Sequence, residues 1–513
     1  EDHALVGDTV DVRGPIPVGA IGGNRLVGVI IGKEEQHVWT FGLGGEKSFG
    51  DLCCEDREEE GEDMFHGVEG WSRGRGRQGA KRKLGVEKYS FPARIHSYFM
   101  LDFSDKAYRY FPPKPNRIVE VFLRWVNRRF YLRGSEHRIA EVAVENPEVI
   151  AQVRKRAGNR LLFLPNHSTH SDPPIMTEVF RQVGMPASFM AAYDIFLQSK
   201  LNAWCMQRAG CFSVDREGSD RASMKEALRI IKAGDRALTI FPEGNVYLMN
   251  DSVTPFLDGP AFLGLKAQKD LGADNPVIAV PVSLKVTHFT DARMAVRDLF
   301  HQLASEVDEE FDESADPVTE VKRLGWLALR KVMASLAKSL PDDAGDDLSA
   351  ALRGVAGELI AKLETELELS AKEGDDLIDR IRKVRRKIHS LRIAENPELA
   401  DFKARTLAAE AMLAYRLLTY PGTYLEENPT LDRMGETIQK VLEDLRSAIL
   451  PPYAPRRAIV RFGEPIDLAV ELSRGKGRSQ VTELTQRFEG AVQAGLDALN
   501  AANDCVGAKL YCQ

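Results

Sequence analysis

The chain has 513 residues, 43% of them apolar and 28% charged, with a formal charge of −7. That length exceeds what one compact core supports, so two or three units are expected. The acidic balance excludes a global electrostatic pull toward nucleic acid or anionic lipid, so any basic surface must be local.

The six cysteines (Cys53, Cys54, Cys205, Cys211, Cys505, Cys512) have no zinc-ligand spacing and no need to form a disulfide framework, which suits a reducing, cytoplasmic setting. No run of about 18 apolar residues predicts a membrane-spanning helix, and no secretory signal pattern is present.

In chain order, Arg25 to Ile31 reads as a short strand in glycine-rich surroundings. An acidic block, Glu55 to Asp63, and a basic block, Arg73 to Lys83, follow. The basic block has the composition of a solvated, disordered linker, and nucleic-acid binding is not expected of it. Arg117 to Arg133 is an arginine-rich amphipathic helix, with Ile118, Val121, Phe122 and Trp125 at helical spacing. Such a helix suits a membrane interface, or it packs on a core with an ordinary charged outside.

Strand and helix signals then alternate. Arg160 to Pro165 is an apolar strand, a helix begins near Asp172, and Ala187 to Ala192 is a second strand. Helices follow at Phe196 to Arg208 and Ala222 to Lys232, and strands at Ala237 to Phe241 and Val277 to Val282. This predicts an α/β fold, a mixed, mostly parallel sheet flanked by helices. Beyond residue 300 the composition turns helical and charged. Leu377, Ile381, Val384, Ile388 and Leu391 form the seam of a short coiled-coil hairpin. Arg457 to Phe462 returns to strand character, and Gln480 to Ala501 is a closing amphipathic helix.

Chemistry concentrates in Asn166-His167-Ser168-Thr169-His170-Ser171-Asp172, a strand-to-helix loop. It can fold back so that Asp172 reaches one nitrogen of His167, leaving the other as a general base for an alcohol. Asp172 has a second reading as an N-cap, and His167, His170 and Asp172 have one as metal ligands, though further ligands are missing. Two more segments stand beside it, Gly210 to Arg216 and Phe241-Pro242-Glu243-Gly244-Asn245. The latter puts a carboxylate and bare backbone at the carboxyl edge of a sheet, where α/β proteins bind ligands, and Arg216 has the planar cation suited to phosphate.

These blocks, with Val277 to Val282, resemble in order and spacing the four blocks of the glycerolipid acyltransferases, the 1-acylglycerol-3-phosphate and glycerol-3-phosphate acyltransferase superfamily. The resemblance covers about residues 115 to 290 and the closing strand and helix, with Gly463-Glu464-Pro465-Ile466. It implies direct transfer of a fatty acyl group from acyl-CoA or acyl-carrier protein to a hydroxyl of glycerol-phosphate, lysophosphatidate or a lysophospholipid, at a membrane surface. His167 and Asp172 would be catalytic. Arg216, Glu243 and Gly244, with Thr169, Gly210 and Phe212, would bind or shape the acceptor site. No metal and no cofactor beyond the thioester co-substrate is implied. Thr169 stands where the family usually has serine, and Asn245-Val246 where many members have threonine and arginine, which leaves the acceptor open.

The organisation expected is an irregular or disordered segment at 1–88, a helical lead-in at 89–150, an acyltransferase core at 151–299, a helical insertion at 300–450, the closing strand and helix at 451–502 and a tail at 503–513. The competing reading is a non-catalytic, membrane-associated scaffold on the same fold. The intact His167–Asp172 pair argues against it.

Overall fold

The structure, a computed structural model, describes residues 108–216, 220–336, 338–345, 347–371, 375–393, 401–475 and 477–512, together with two short strands nearer the N-terminus. The chain divides into two units, Glu1–Ile95 and His96–Gln513. In the first, β1 (Val29–Ile31) pairs antiparallel with β2 (Val38–Thr40). The acidic and basic blocks of the sequence lie outside the described residues.

The second unit opens with α1 (Arg117–Val126), whose N-cap Asn116 accepts the N–H groups of Ile118 and Val119. One π-helical turn, Asn127–Tyr131, extends it. The helix is mounted polar side in. Glu120 and Asn127 are buried, with Glu120 held by Arg124 at 2.6 Å and Arg236 at 2.9 Å. Four of its apolar residues face outward, Ile118, Val121, Phe122 and Trp125, with Ile118 83% and Trp125 51% exposed. Val119, Leu123 and Val126 are half-buried on its inner side, so the helix packs on the fold and also exposes an apolar face.

The order then runs β3 (Ile139–Glu145), α2 (Pro147–Ala157), β4 (Leu161–Pro165), α3 (Asp172–Gln182), β5 (Ala187–Ala192), α4 (Tyr193–Leu197), α5 (Lys200–Arg208), β6 (Phe212–Val214), α6 (Arg221–Ala233), β7 (Ala237–Thr239), α7 (Gly259–Leu271) and β8 (Ile278–Thr287). The single helix expected over Phe196 to Arg208 is two. Ser199 breaks it, capping α5 by accepting the Asn202 N–H.

After β8 come α8 (Arg293–Glu306), α9 (Pro317–Ser335), α10 (Leu348–Glu366), α11 (Leu377–Ile393), α12 (Asp401–Leu417), α13 (Tyr424–Glu427) and α14 (Leu431–Arg446). Then β9 (Arg456–Phe462), β10 (Ile466–Asp467), α15 (Leu468–Arg474) and α16 (Arg478–Ala502) close the fold.

The eight-stranded sheet has the order β3-β9-β8-β4-β7-β5-β6, with β10 pairing β8. The five strands from β8 to β6 are parallel, while β9 lies antiparallel to β8 and carries β3 parallel to itself. β4 shows why both faces are covered. Leu161 and Phe163 join a core with Ile175, Val179 and Phe180 of α3, whereas Leu162 and Leu164 join one with Ile230, Phe488 and Val492 of α6 and α16. Each such side chain contributes about 1.5–3 kcal/mol through burial.

Thr287 at the end of β8 stands opposite Arg457 at the start of β9. The helices α8 to α14 thus replace a hairpin loop. Within them the apolar seam of α11, Ile381, Val384 and Ile388, packs into one core with α9, α10 and α12. This is a four-helix arrangement in place of the two-helix coiled coil expected.

Candidate active site

β4 ends at Pro165, beyond which the backbone leaves the sheet while β8 continues. Asn166 bridges the gap with its side chain. Its Nδ2 donates to the Leu284 carbonyl at 2.9 Å and its Oδ1 accepts the Leu284 N–H at 2.7 Å. Asn250 does the same for Val286. Two side-chain amides therefore stand in for a neighbouring strand, and the loop after β4 leaves the sheet with its exit fixed.

Within that loop Asp172, the first residue of α3, is fully buried. Its carboxylate turns back from the helix, accepting the Thr169 N–H at 2.9 Å and the Thr169 hydroxyl at 2.6 Å. The remaining contact is His167 Nδ1, 3.0 Å from Asp172 Oδ2. Asp172 thus serves the histidine loop and caps no backbone N–H of α3. The His167 ring stacks on Phe241, centroids 4.2 Å apart. With Nδ1 engaged, Nε2 is left for chemistry on a side chain 16% exposed. This is the arrangement a general base requires, tautomer set and imidazolium supported.

The Phe241–Asn245 turn follows β7 at the same carboxyl edge of the sheet. The Glu243 carboxylate is buried and spent inside the protein, accepting the His167 N–H at 2.6 Å and both the N–H and hydroxyl of Thr254. Burial pushes this carboxyl up, and these donors oppose the shift. Glu243 is therefore a tie between the histidine loop and the following one. Gly244 sits at φ +75°, and a Cβ there would come within 2.7 Å of Leu257, so only glycine closes this turn without strain. Its carbonyl receives Arg216 Nη1 at 3.3 Å, and the same guanidinium lies 3.5 Å from Asp194.

Of the remaining expected residues, Thr169 is buried beneath the loop. Gly210 (φ +89°) packs against the Arg236 guanidinium, and Phe212 is wholly inside the hydrophobic layer. The structure brings His167, Asp172, Thr169 and Glu243 together, and Arg216 with Gly244. Phe212 offers no surface to a ligand. His170 faces Glu443 of α14 at 3.4 Å, and among the described residues no three His, Cys, Asp or Glu side chains gather as a metal site would need.

The helical insertion reaches the loops after β4, β6 and β7 at this edge. His389 of α11 meets Asp215 at 3.2 Å, and Tyr415 of α12 bonds Tyr247. Arg433 of α14 holds Asp251 at 2.7 Å, and Asp251 also bonds the buried Lys285 of β8. Burial pulls the Lys285 ammonium down, but Asp251, Asp432 and Glu436 around it overcome this and hold it above its ordinary value. The sequence reading missed Asn250, Asp251, Lys285 and Arg456. A lysine inside the apolar run Ile278 to Val286 was the available signal for the charge network. Arg456 had none.

Residues 141–285 match the Acyltransferase family. A 1-acyl-sn-glycerol-3-phosphate acyltransferase of Streptococcus pneumoniae is 31% identical over 87 residues, which cover 17% of this chain and 31% of that protein. The chain thus matches about a third of that relative's length. The matched family segment contains β4, the His167 loop, the Glu243 turn and most of β8. The chain carries, at residues 141–285, an acyltransferase domain of the glycerolipid acyltransferase superfamily.

Proposed function

We propose that this protein moves a fatty acyl group from acyl-CoA or acyl-carrier protein to a hydroxyl of glycerol-phosphate, lysophosphatidate or a lysophospholipid. The observation that carries the reading is the 3.0 Å contact between His167 Nδ1 and the buried Asp172 carboxylate. His167 Nε2 takes the acceptor's hydroxyl proton as its oxygen attacks the thioester carbonyl. The tetrahedral adduct then collapses, the C–S bond breaks, and the imidazolium returns the proton to the departing thiolate. Asp172 balances the charge that His167 gains in between. No acyl-enzyme and no cofactor is required. Arg216, held by Gly244 and Asp194, is the cation nearest the turn for an anionic headgroup.

The test is thiol release and acyl transfer from radiolabelled acyl-CoA and acyl-carrier protein, with glycerol-3-phosphate, lysophosphatidate and several lysophospholipids as acceptors. Transfer to one acceptor class that depends on His167 identifies the substrate. Transfer indifferent to His167, or to no acceptor at all, removes the reading.

We also place the protein peripherally at a membrane. Among the described residues no helix is long and apolar enough to cross one. The outward face of α1, with Ile118, Val121, Phe122 and Trp125 exposed and Arg117, Arg128, Arg129 and Arg133 around it, has the chemistry of an interfacial anchor on anionic lipid. Trp125→Glu is expected to lower partition onto anionic vesicles by about tenfold or more, from lost apolar burial and added repulsion. Co-sedimentation equal to wild type would remove this role for the helix.

A further inference from the structure

Behind the His167–Asp172 pair lies a second line of residues. Arg456, the first residue of β9, enters from the far side of the insertion, its N–H bonded to the Arg138 carbonyl at 2.8 Å. Its Nη2 donates to the His137 carbonyl at 2.7 Å and to the Ser171 hydroxyl at 3.0 Å. The Ser171 N–H reaches the Thr169 hydroxyl at 3.2 Å, and that hydroxyl donates to Asp172 at 2.6 Å. An unbroken path therefore joins Arg456 to the carboxylate that orients His167.

The same guanidinium supplies charge. Asp172 is fully buried, and a buried carboxylate stays ionised only beside a cation or enough donors. Burial draws Arg456 down to about 10, with Tyr453, Asp172, Asp432 and Glu436 opposing the shift, so it remains cationic near neutral pH. We infer that Arg456 is a positioning residue for the His167–Asp172 pair, holding Ser171 in register from behind and setting a positive charge on that side of the pair. The inference concerns the pair that the acyl-transfer reading uses and rests on that reading for its catalytic meaning.

The groups around the site set the sign. Asp172 faces His167 from α3 and Glu243 from the turn after β7, the His137 ring touches Ser171 from the turn before β3, Tyr453 precedes β9, and Asp432 and Glu436 approach from α14. Removing the Arg456 cation leaves this group more negative, so His167 keeps its proton to higher pH. In Arg456→Gln the acid limb of kcat/KM is expected to move up by about half to one pH unit, with a plateau roughly tenfold or more below wild type. Arg456→Lys keeps the charge and should hold the limb at its wild-type position with a smaller loss.

The same shift is readable without substrate, by NMR titration of the His167 ring assigned with His167→Ala. Absence of transfer would therefore count against the acyl-transfer reading, while the titration still decides the role of Arg456. An unmoved His167 titration in a folded Arg456→Gln overturns the inference, whatever the rate. If that variant does not fold, Ser171→Ala cuts the same path. A severalfold fall in kcat at unchanged KM supports the inference, and wild-type kinetics overturns it.

Discussion

His167→Ala is expected to abolish acyl transfer to every acceptor while leaving the protein folded. General-base assistance by a positioned histidine is worth about two to four orders of magnitude, and no neighbouring group in the structure duplicates it. His170 is engaged with Glu443, and the Glu243 carboxylate is occupied by the backbone of His167 and by Thr254. The ring is largely buried against Phe241, but Asp172 keeps both Thr169 donors without it, so its loss should cost some stability and leave the fold intact. Asp172→Asn should fall nearly as far, because an amide in that position favours the wrong tautomer of the imidazole. Rate measurements at saturating donor, beside thermal melts of both variants, provide the check. A His167→Ala protein retaining more than about a tenth of wild-type kcat would contradict the assignment of the base.

The largest effect on stability is expected at Lys285. This residue projects from the second half of a wholly buried strand into a pocket of carboxyls, bonded to Asp251 and close to Asp432 and Glu436. Lys285→Met keeps the side-chain volume and removes the cation. Breaking a buried pair from one side typically costs about 3–5 kcal/mol, and the Arg433 contact left to Asp251 puts the expected cost toward the lower end. Burial pushes Asp251 up, yet Lys285 and Arg433 together hold it below its ordinary value. Without Lys285 only Arg433 opposes that burial. The carboxyls then gain protons in the folded state, so the deficit should shrink as pH is lowered from 8 toward 5.

The wild type carries a related pH dependence. Burial, reinforced by Asp251, pushes Glu436 up from 4.5 to about 8. A carboxyl raised on folding binds its proton more tightly in the native state. Its contribution is present in full below about pH 4.5 and is lost as pH rises through 8. Urea melts at pH 5, 6.5 and 8 for both proteins read both effects, and a pH-independent difference between them would remove Lys285 from this network.

The network has a functional side. Asp251 follows Asn250, whose amide pairs with Val286 and meets the Ser168 hydroxyl at 3.4 Å. Thr254, three residues on, fastens Glu243. The loop bearing these residues is held at one end by α14 and β8 and at the other by the histidine loop. A loss at Lys285 should therefore reach catalysis as well as stability.

Much of the catalytic sheet was legible without a structure because its strands are short apolar runs separated by helices of ordinary length. The runs Leu161 to Pro165 and Ala187 to Ala192 are buried enough that hydrophobicity alone marks them. The strand Ile278–Thr287 was foreseen only as far as Val282. Ser283, Lys285 and Thr287 make the second half look like a turn, yet all three are buried. Their partners come from α14, α16 and the loop near residue 250, which no local pattern can announce.

By itself the sequence determined the α/β architecture, the insertion between two strands, and the pairing of His167 with Asp172. Those features are local: strand and helix periodicity spans a few residues, and His167 and Asp172 are five residues apart on one loop. Tertiary structure alone decided that α1 presents its apolar face outward, that the Glu243 carboxylate is tied to the backbone of His167, and that Arg456 stands behind Asp172. In each case the partners are distant in the chain, Glu120 with Arg236, Glu243 with His167, Arg456 with Ser171. Burying a charge is tolerable only where folding delivers a counter-charge or a hydrogen bond, and which residue delivers it is a property of the packed sheet and helices.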